Sequence, residues 1–198
     1  MRRSLAVPIL IGVALVLGSG AWAAAGSILT PAATQGTGGI SLLGAIIFDQ
    51  SSEVLGALGD ETVLLARVTV GLSRNAEIFA ELSNFGDRTF GGGLKVALLQ
   101  NSRGAVALFG RVLWSQPGGA VDENQVTGTG AVLLSAKLLG QSPYVGLVID
   151  AFSSEALAAG DRLKTSAVLG IQLGGLPLVV ETNLAHDKLL ALGARISF

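Results

Sequence analysis

From residue 38 onward, apolar and mixed positions alternate along the chain in segments of roughly ten residues. That is the period-2 signature of strands with two different faces. Ten strands are expected, over 38–48, 61–72, 76–84, 92–100, 105–114, 129–139, 143–152, 163–173, 177–184 and 189–198. One parity holds Leu64, Val68, Val70, Ile78, Leu82, Leu94, Leu98, Val106, Leu108, Val112, Trp114, Val132, Leu134, Leu147, Ile149, Leu169, Leu178, Val180 and Leu192, with no charge among them. The other parity holds every strand charge: Arg67, Glu77, Glu81, Lys95, Arg111, Lys137, Asp150, Lys164, Glu181 and Arg195. It also carries Leu43, Ile47, Val63, Leu65, Phe79, Leu99, Phe109, Leu113, Leu133 and Val148.

The connections alternate as well. "SRN", "NSRG", "QSP" and "GLP" have the length and composition of tight turns. Between them lie longer links at 49–60, 85–91, 115–128, 153–162 and 185–188. An even strand number brings both chain ends to the rim of short turns. The expected fold is all-β, a transmembrane antiparallel up-and-down barrel of about ten strands. Eight would remain if two weaker segments, the first and the ninth, stayed outside the closed sheet.

The N-terminus adds a compartment. Arg2 and Arg3 precede an apolar run from Ala6 to Leu17, and Ala21-Trp22-Ala23 has the small residues that signal peptidase needs. Residues 1–23 are expected to be a cleaved Sec-type signal peptide, with cleavage as late as residue 25. The run is short for a membrane-spanning helix of about 20 residues. Residues 24–37 are expected to form a short periplasmic segment, extended, with the lower lumen as a second resting place. The barrel then occupies 38–198. The chain has no cysteine, so neither disulfides nor a lipidated-Cys anchor enters the picture.

Composition sharpens the contrast between the faces. Hydrophobic residues make up 50% of the chain and mean hydropathy is +0.62, yet no apolar run after the leader approaches the length of a spanning helix. The net charge of −1 offers no electrostatic footprint for nucleic acid. A chain this apolar, without a spanning helix, has to hide its surface in another way.

The chain ends on an alternating strand, with Leu192, Ala194, Ile196 and the terminal Phe198 on one parity. Together with the leader, the strand parity and the rim asymmetry, this resembles the small bacterial outer-membrane β-barrel proteins over essentially all of the mature chain. The resemblance implies that Leu192, Ala194, Ile196 and Phe198 act as the C-terminal signal read by the barrel-assembly machinery. It also implies that the last strand pairs with the first and that the protein resides in the outer membrane as a monomer surrounded by lipid. The uncharged face would then meet lipid, where an Arg or Lys at the midplane costs about 2–4 kcal/mol. The inverted arrangement, a soluble lipocalin-like barrel around an apolar ligand, would expose the large apolar side chains of the charged parity, which monomers avoid. Aromatic residues are only 5% of the chain. Phe48, Trp114 and Phe152 fall near the outer strand ends, and Tyr144 and Phe198 near the inner ones.

Function reads as structural or binding, with a narrow lumen largely filled by side chains and a near-balanced charge network. The alternative is a narrow, weakly anion-favouring channel, since bases outnumber acids on the inner parity. No enzyme is expected: the only histidine, His186 beside Asp187, falls in a short polar link, and Ser153, Ser154 and Glu155 fall in another. No cofactor or metal site is expected, and Asp122, Glu123 and Asn124 read as solvated loop. The Gly- and acid-rich outer loops offer a surface for an unspecified partner.

Overall fold

The computed structural model describes residues 28–49, 62–83, 88–116, 125–153, 163–174, 176–184 and 189–198. The strands are β1 (Ile40–Asp49), β2 (Thr62–Gly71), β3 (Ala76–Ser83), β4 (Arg88–Gln100), β5 (Gly104–Gln116), β6 (Gln125–Ala136), β7 (Ser142–Phe152), β8 (Leu163–Gln172), β9 (Leu178–Asn183) and β10 (Leu189–Ser197). Each pairs antiparallel with its neighbours in sequence, and β1 pairs with β10, so the ten strands form one closed barrel. Both weaker candidates, β1 and β9, belong to the closed sheet. Closure leaves no strand edge to satisfy.

The short connections, 72–75, 101–103, 137–141 and 173–177, all lie on one rim together with the start of β1 and the end of β10. In the second, Asn101 Oδ1 accepts hydrogen bonds from the backbone N–H of Arg103 and Gly104, at 2.8 and 3.1 Å, an Asx-type turn. In the third, Leu138 and Gln141 exchange backbone bonds around Leu139 and Gly140, whose φ values of 51° and 79° suit a two-residue hairpin. The strand ends that the long links join lie on the opposite rim, and residues 50–61, 84–87, 117–124, 154–162 and 185–188 of those links fall outside the described residues.

The alternation read from sequence is the alternation of inside and outside. Leu147 is 65% exposed and Val112 57%, whereas Lys95 is 0% and Glu181 2%. Two positions depart from the expected parity. Leu99 was expected inside and is outside, because a β-bulge between Ala97 and Leu99 inserts one residue into β4 and turns the strand end over. Lys137 was expected in the lumen and is exposed, because β6 ends at Ala136 and the hairpin begins there. Tyr144 and Phe152 lie near the strand ends where they are expected, and both face the lumen: Tyr144 is buried at 2% exposure, and Phe152 shares the inward parity of Asp150. At the long-link rim the outward aromatic pair is instead Phe90 stacked on Trp114, with ring centroids 5.6 Å apart. The fourth, fifth and sixth strands extend further toward that rim than the alternation suggested.

Candidate functional site: a charged lumen occupied by the N-terminal segment

Residues 28–35 do not lie outside the barrel. They run inside it, with Ile28 and Leu29 fully buried and Thr30, Ala32 and Thr34 buried behind them. The segment enters from the short-turn rim. There the chain reverses through Gly36 and Gly38, whose φ values of 87° and 74° favour glycine. The N–H of Gly38 donates to the carbonyl of Gly71, at 2.9 Å, and the N–H of Gly71 to that of Gly39, at 2.8 Å, tying the reversal to the end of β2. Residues 1–27, including the expected leader and its cleavage site, lie outside the described residues.

The wall grips this segment mainly by its main chain. Glu181, on β9, accepts from the successive N–H groups of Ile28 and Leu29, one on each carboxylate oxygen, at 2.7 and 2.6 Å. Two consecutive N–H groups thus converge on one carboxylate, and Leu29 itself takes a left-handed φ of 50°. For a residue with a side chain this conformation costs about 1–2 kcal/mol. Each hydrogen bond to a charged group contributes about 1.5–3 kcal/mol, which offsets it. Arg67 Nη1 donates to the carbonyl of Ile28 at 2.6 Å. Lys95 Nζ donates to the carbonyls of Pro31 and Ala33, both at 2.9 Å, and to the Thr30 hydroxyl at 3.0 Å. Arg195 Nη1 reaches the same hydroxyl at 3.1 Å. Nearer the rim, Gln100 Oε1 accepts from the N–H of Thr34 at 2.9 Å, and Glu77 Oε2 from that of Gln35 at 3.1 Å.

Two apolar walls receive the side chains. Leu29 packs with Leu43, Ile47, Val63, Leu65, Tyr144 and Val179. Ile28 and Ala32 pack with Phe79, Phe109, Leu133, Val148 and Val168. Full burial of each large side chain contributes about 1.5–3 kcal/mol. Tyr144 completes the Glu181 site by donating its hydroxyl to Oε2 at 2.7 Å. Its ring can cross the sheet there because β8 carries Gly170 opposite; a Cβ at Gly170 would lie 2.2 Å from Tyr144 Cζ.

Toward the long-link rim the charges pair with one another. Glu81 Oε2 accepts from Arg67 Nε and Nη2, at 2.8 and 2.5 Å, and Oε1 from Arg111 Nη1 at 3.0 Å. Arg111 also donates to the Thr129 hydroxyl, which donates in turn to Asp150 Oδ1 at 2.6 Å. The Arg67 guanidinium lies 4.8 Å from the ring centre of Phe79, itself stacked on Phe109. Arg67 joins the two regions, since it bonds both Glu81 and the carbonyl of Ile28, and Lys95 pairs with Glu77 at 2.7 Å.

Of the inner charges expected from sequence, the structure thus brings Arg67, Glu77, Glu81, Lys95, Arg111, Asp150, Glu181 and Arg195 into the lumen. Lys164 is half-buried, with its ammonium 5.8 Å from the Phe152 ring centre. Leu192, Ala194, Ile196 and Phe198 lie on the outward face of β10, where Phe198 is 76% exposed. His186, Asp187, Ser154, Glu155, Asp122, Glu123 and Asn124 lie outside the described residues, and Ser153 is exposed at the end of β7. The alternation does not single out Tyr144 as a lumen group, and the lumen as second resting place of residues 24–37 does not single out Thr30 and Thr34. Comparison with known protein families, curated proteins and solved structures returns no match.

Proposed function

We infer that this chain is an integral barrel of the bacterial outer membrane, structural or binding in type, whose lumen is closed by its own N-terminal segment. The observation that carries the reading is the division between the two faces. Outward strand positions such as Val68, Leu82, Leu94, Val112, Val132, Leu147 and Leu169 are exposed and apolar around the whole circumference. Inward positions hold the ionised side chains. In water the outer belt would far exceed the few hundred Å² of contiguous apolar surface that monomers show; in hydrocarbon it is the favoured surface, and closure leaves no strand edge to face it. A Sec-type leader over residues 1–23, lipid as the surrounding partner and assembly through Leu192, Ala194, Ile196 and Phe198 belong to this reading. So does a closed rather than an open channel, since buried charges and residues 28–35 fill the space a solute would need.

The mature chain, refolded in detergent, is expected to migrate differently on a denaturing gel before and after boiling, with β-rich circular dichroism. In planar bilayers it is expected to show no steady conductance. A protein that is monomeric and soluble without detergent would sink the membrane reading, and a stable open conductance would replace the closed lumen with the anion-favouring channel.

A further inference from the structure

We propose that the half of the lumen next to the short turns is a peptide-binding site, and that residues 28–35 are its ligand in cis. The site takes an extended peptide of apolar and small residues with a hydroxyl at the position of Thr30. This deepens the binding reading above, and it rests on the lumen rather than on what surrounds the barrel.

The nature of the contacts points to a receptor rather than to ordinary core packing. Core strands of this barrel are held by neighbours through ladder bonds, with side chains providing the fill. Residues 28–35 have no ladder partner among the described residues. Their main-chain N–H and C=O groups are read one after another by ionised side chains: Glu181, Arg67, Lys95 and Glu77. Main-chain recognition supplies affinity without fixing most of the sequence, and alternate side-chain pockets supply the selectivity. Here the pockets are those of Ile28 and Leu29, and the one central polar feature is the Thr30 hydroxyl between Lys95 and Arg195. The segment connects to the barrel through the reversal of Gly36 and Gly38 at the rim, with Thr37 exposed between them. Leu29 holds a left-handed conformation in a buried place, a form of strain that concentrates at ligand-holding sites. A peptide from another chain would enter from the short-turn rim, apolar end first.

The test nicks the connection in the folded protein. A protease recognition sequence is inserted between Thr37 and Gly38 of the full chain, the barrel is refolded, and the site is cut. A labelled peptide with the sequence of residues 26–35, "GSILTPAATQ", is then added. It is expected to replace the nicked segment, one per barrel, and to be displaced by unlabelled peptide. A Thr30→Val peptide is expected to bind roughly tenfold more weakly, because it loses a hydroxyl that two cations address. An Ala33→Ser peptide, read through its carbonyl, is expected to bind within about threefold. A nicked segment that never exchanges would make residues 28–35 a permanent part of the core and overturn the proposal. So would a scrambled peptide that binds equally well. Should the insertion prevent folding, the uninterrupted chain answers the same question. Maleimide labelling of Ala32→Cys is expected to speed up as the free peptide approaches the millimolar effective concentration of a tethered competitor, and a rate indifferent to peptide would count against the site. The boiled and unboiled gel shift reports barrel closure and its lipid-facing surface separately from either result.

Discussion

The lumen contains two kinds of buried charge. Toward the long links, Glu81 faces cations from its own wall, Arg67 and Arg111, and the chain continues through Thr129 to Asp150. Toward the short turns, Glu181 faces the N–H groups of Ile28 and Leu29 and the Tyr144 hydroxyl, and Lys95 divides its bonds between Glu77 and the segment. Both regions obey the rule that buried ions need partners. They differ in where most of the partners come from. Around Glu81 they are built into the sheet register, whereas around Glu181 and Lys95 most are delivered by a piece of chain that lies outside the sheet, with Arg67 touching both through the Ile28 carbonyl. The first region is a property of the wall, and the second is a property of wall and segment together.

Substitutions at the two carboxylates separate these regions. Glu81→Ala strands two buried guanidinium groups at once, and removing one side of a buried ion pair costs about 3–5 kcal/mol. The urea midpoint of the detergent-refolded barrel is expected to fall accordingly, further than for Glu181→Gln, Gly170→Ala or Lys137→Ala. Glu181→Gln keeps the shape but loses the charge that two N–H groups and a hydroxyl share, for about 1.5–3 kcal/mol. Its distinguishing mark is accessibility: maleimide labelling of Ala32→Cys is expected to accelerate more in Glu181→Gln than in Glu81→Ala, although Glu81→Ala is the less stable protein. The reverse order would erase the distinction between wall and segment.

Gly170→Ala probes the Glu181 site from the side of the wall. The added methyl would meet the Tyr144 ring, so the ring must move and its bond to Glu181 lengthen or break. Overpacking of this kind costs about 1–3 kcal/mol. Because Tyr144 is the only tyrosine of the chain, its ultraviolet difference spectrum reports the displacement directly. An unchanged spectrum would show that the ring does not need the empty place.

These residues also mark how far the sequence can be read. Alternation of period 2 separates the faces because a closed sheet forces every strand to obey it, and an outer face free of charge makes the inner charges conspicuous. The pairing of Arg67 with Glu81 follows, since a short turn between β2 and β3 sets them opposite one another. What lies across the register is harder to see. Tyr144 reads as a rim aromatic until Gly170, 26 positions later in the chain, is known to stand opposite it. The bulge at Ala97 and Leu99 is silent because "ALLQ" offers an apolar residue to either face. Residues 28–35 have no periodicity to betray a partner; the only hints are the Gly-rich reversal after them and inner charges that the wall alone does not explain.

The smallest expected effect tests the boundary of the lumen. Lys137 continues the parity of Leu133 and Ser135, and by alternation alone it belongs with Lys95 and Arg111. The structure ends β6 one residue earlier, at Ala136, and turns the chain through Leu139 and Gly140, so the ammonium stands in solvent at the rim. An ionised group that never leaves water has no desolvation to repay and no buried partner to strand, and surface substitutions of this kind leave stability nearly unchanged. Lys137→Ala is therefore expected to leave both the urea midpoint and the labelling rate of Ala32→Cys where they are in the parent. Lys95→Ala, the same chemical change on the same parity, is expected to shift both, because Glu77 and the carbonyls of Pro31 and Ala33 lose their donor. If Lys137→Ala moved either measurement as far as Lys95→Ala, the sixth strand would extend past Ala136 and the charged interior would reach the rim.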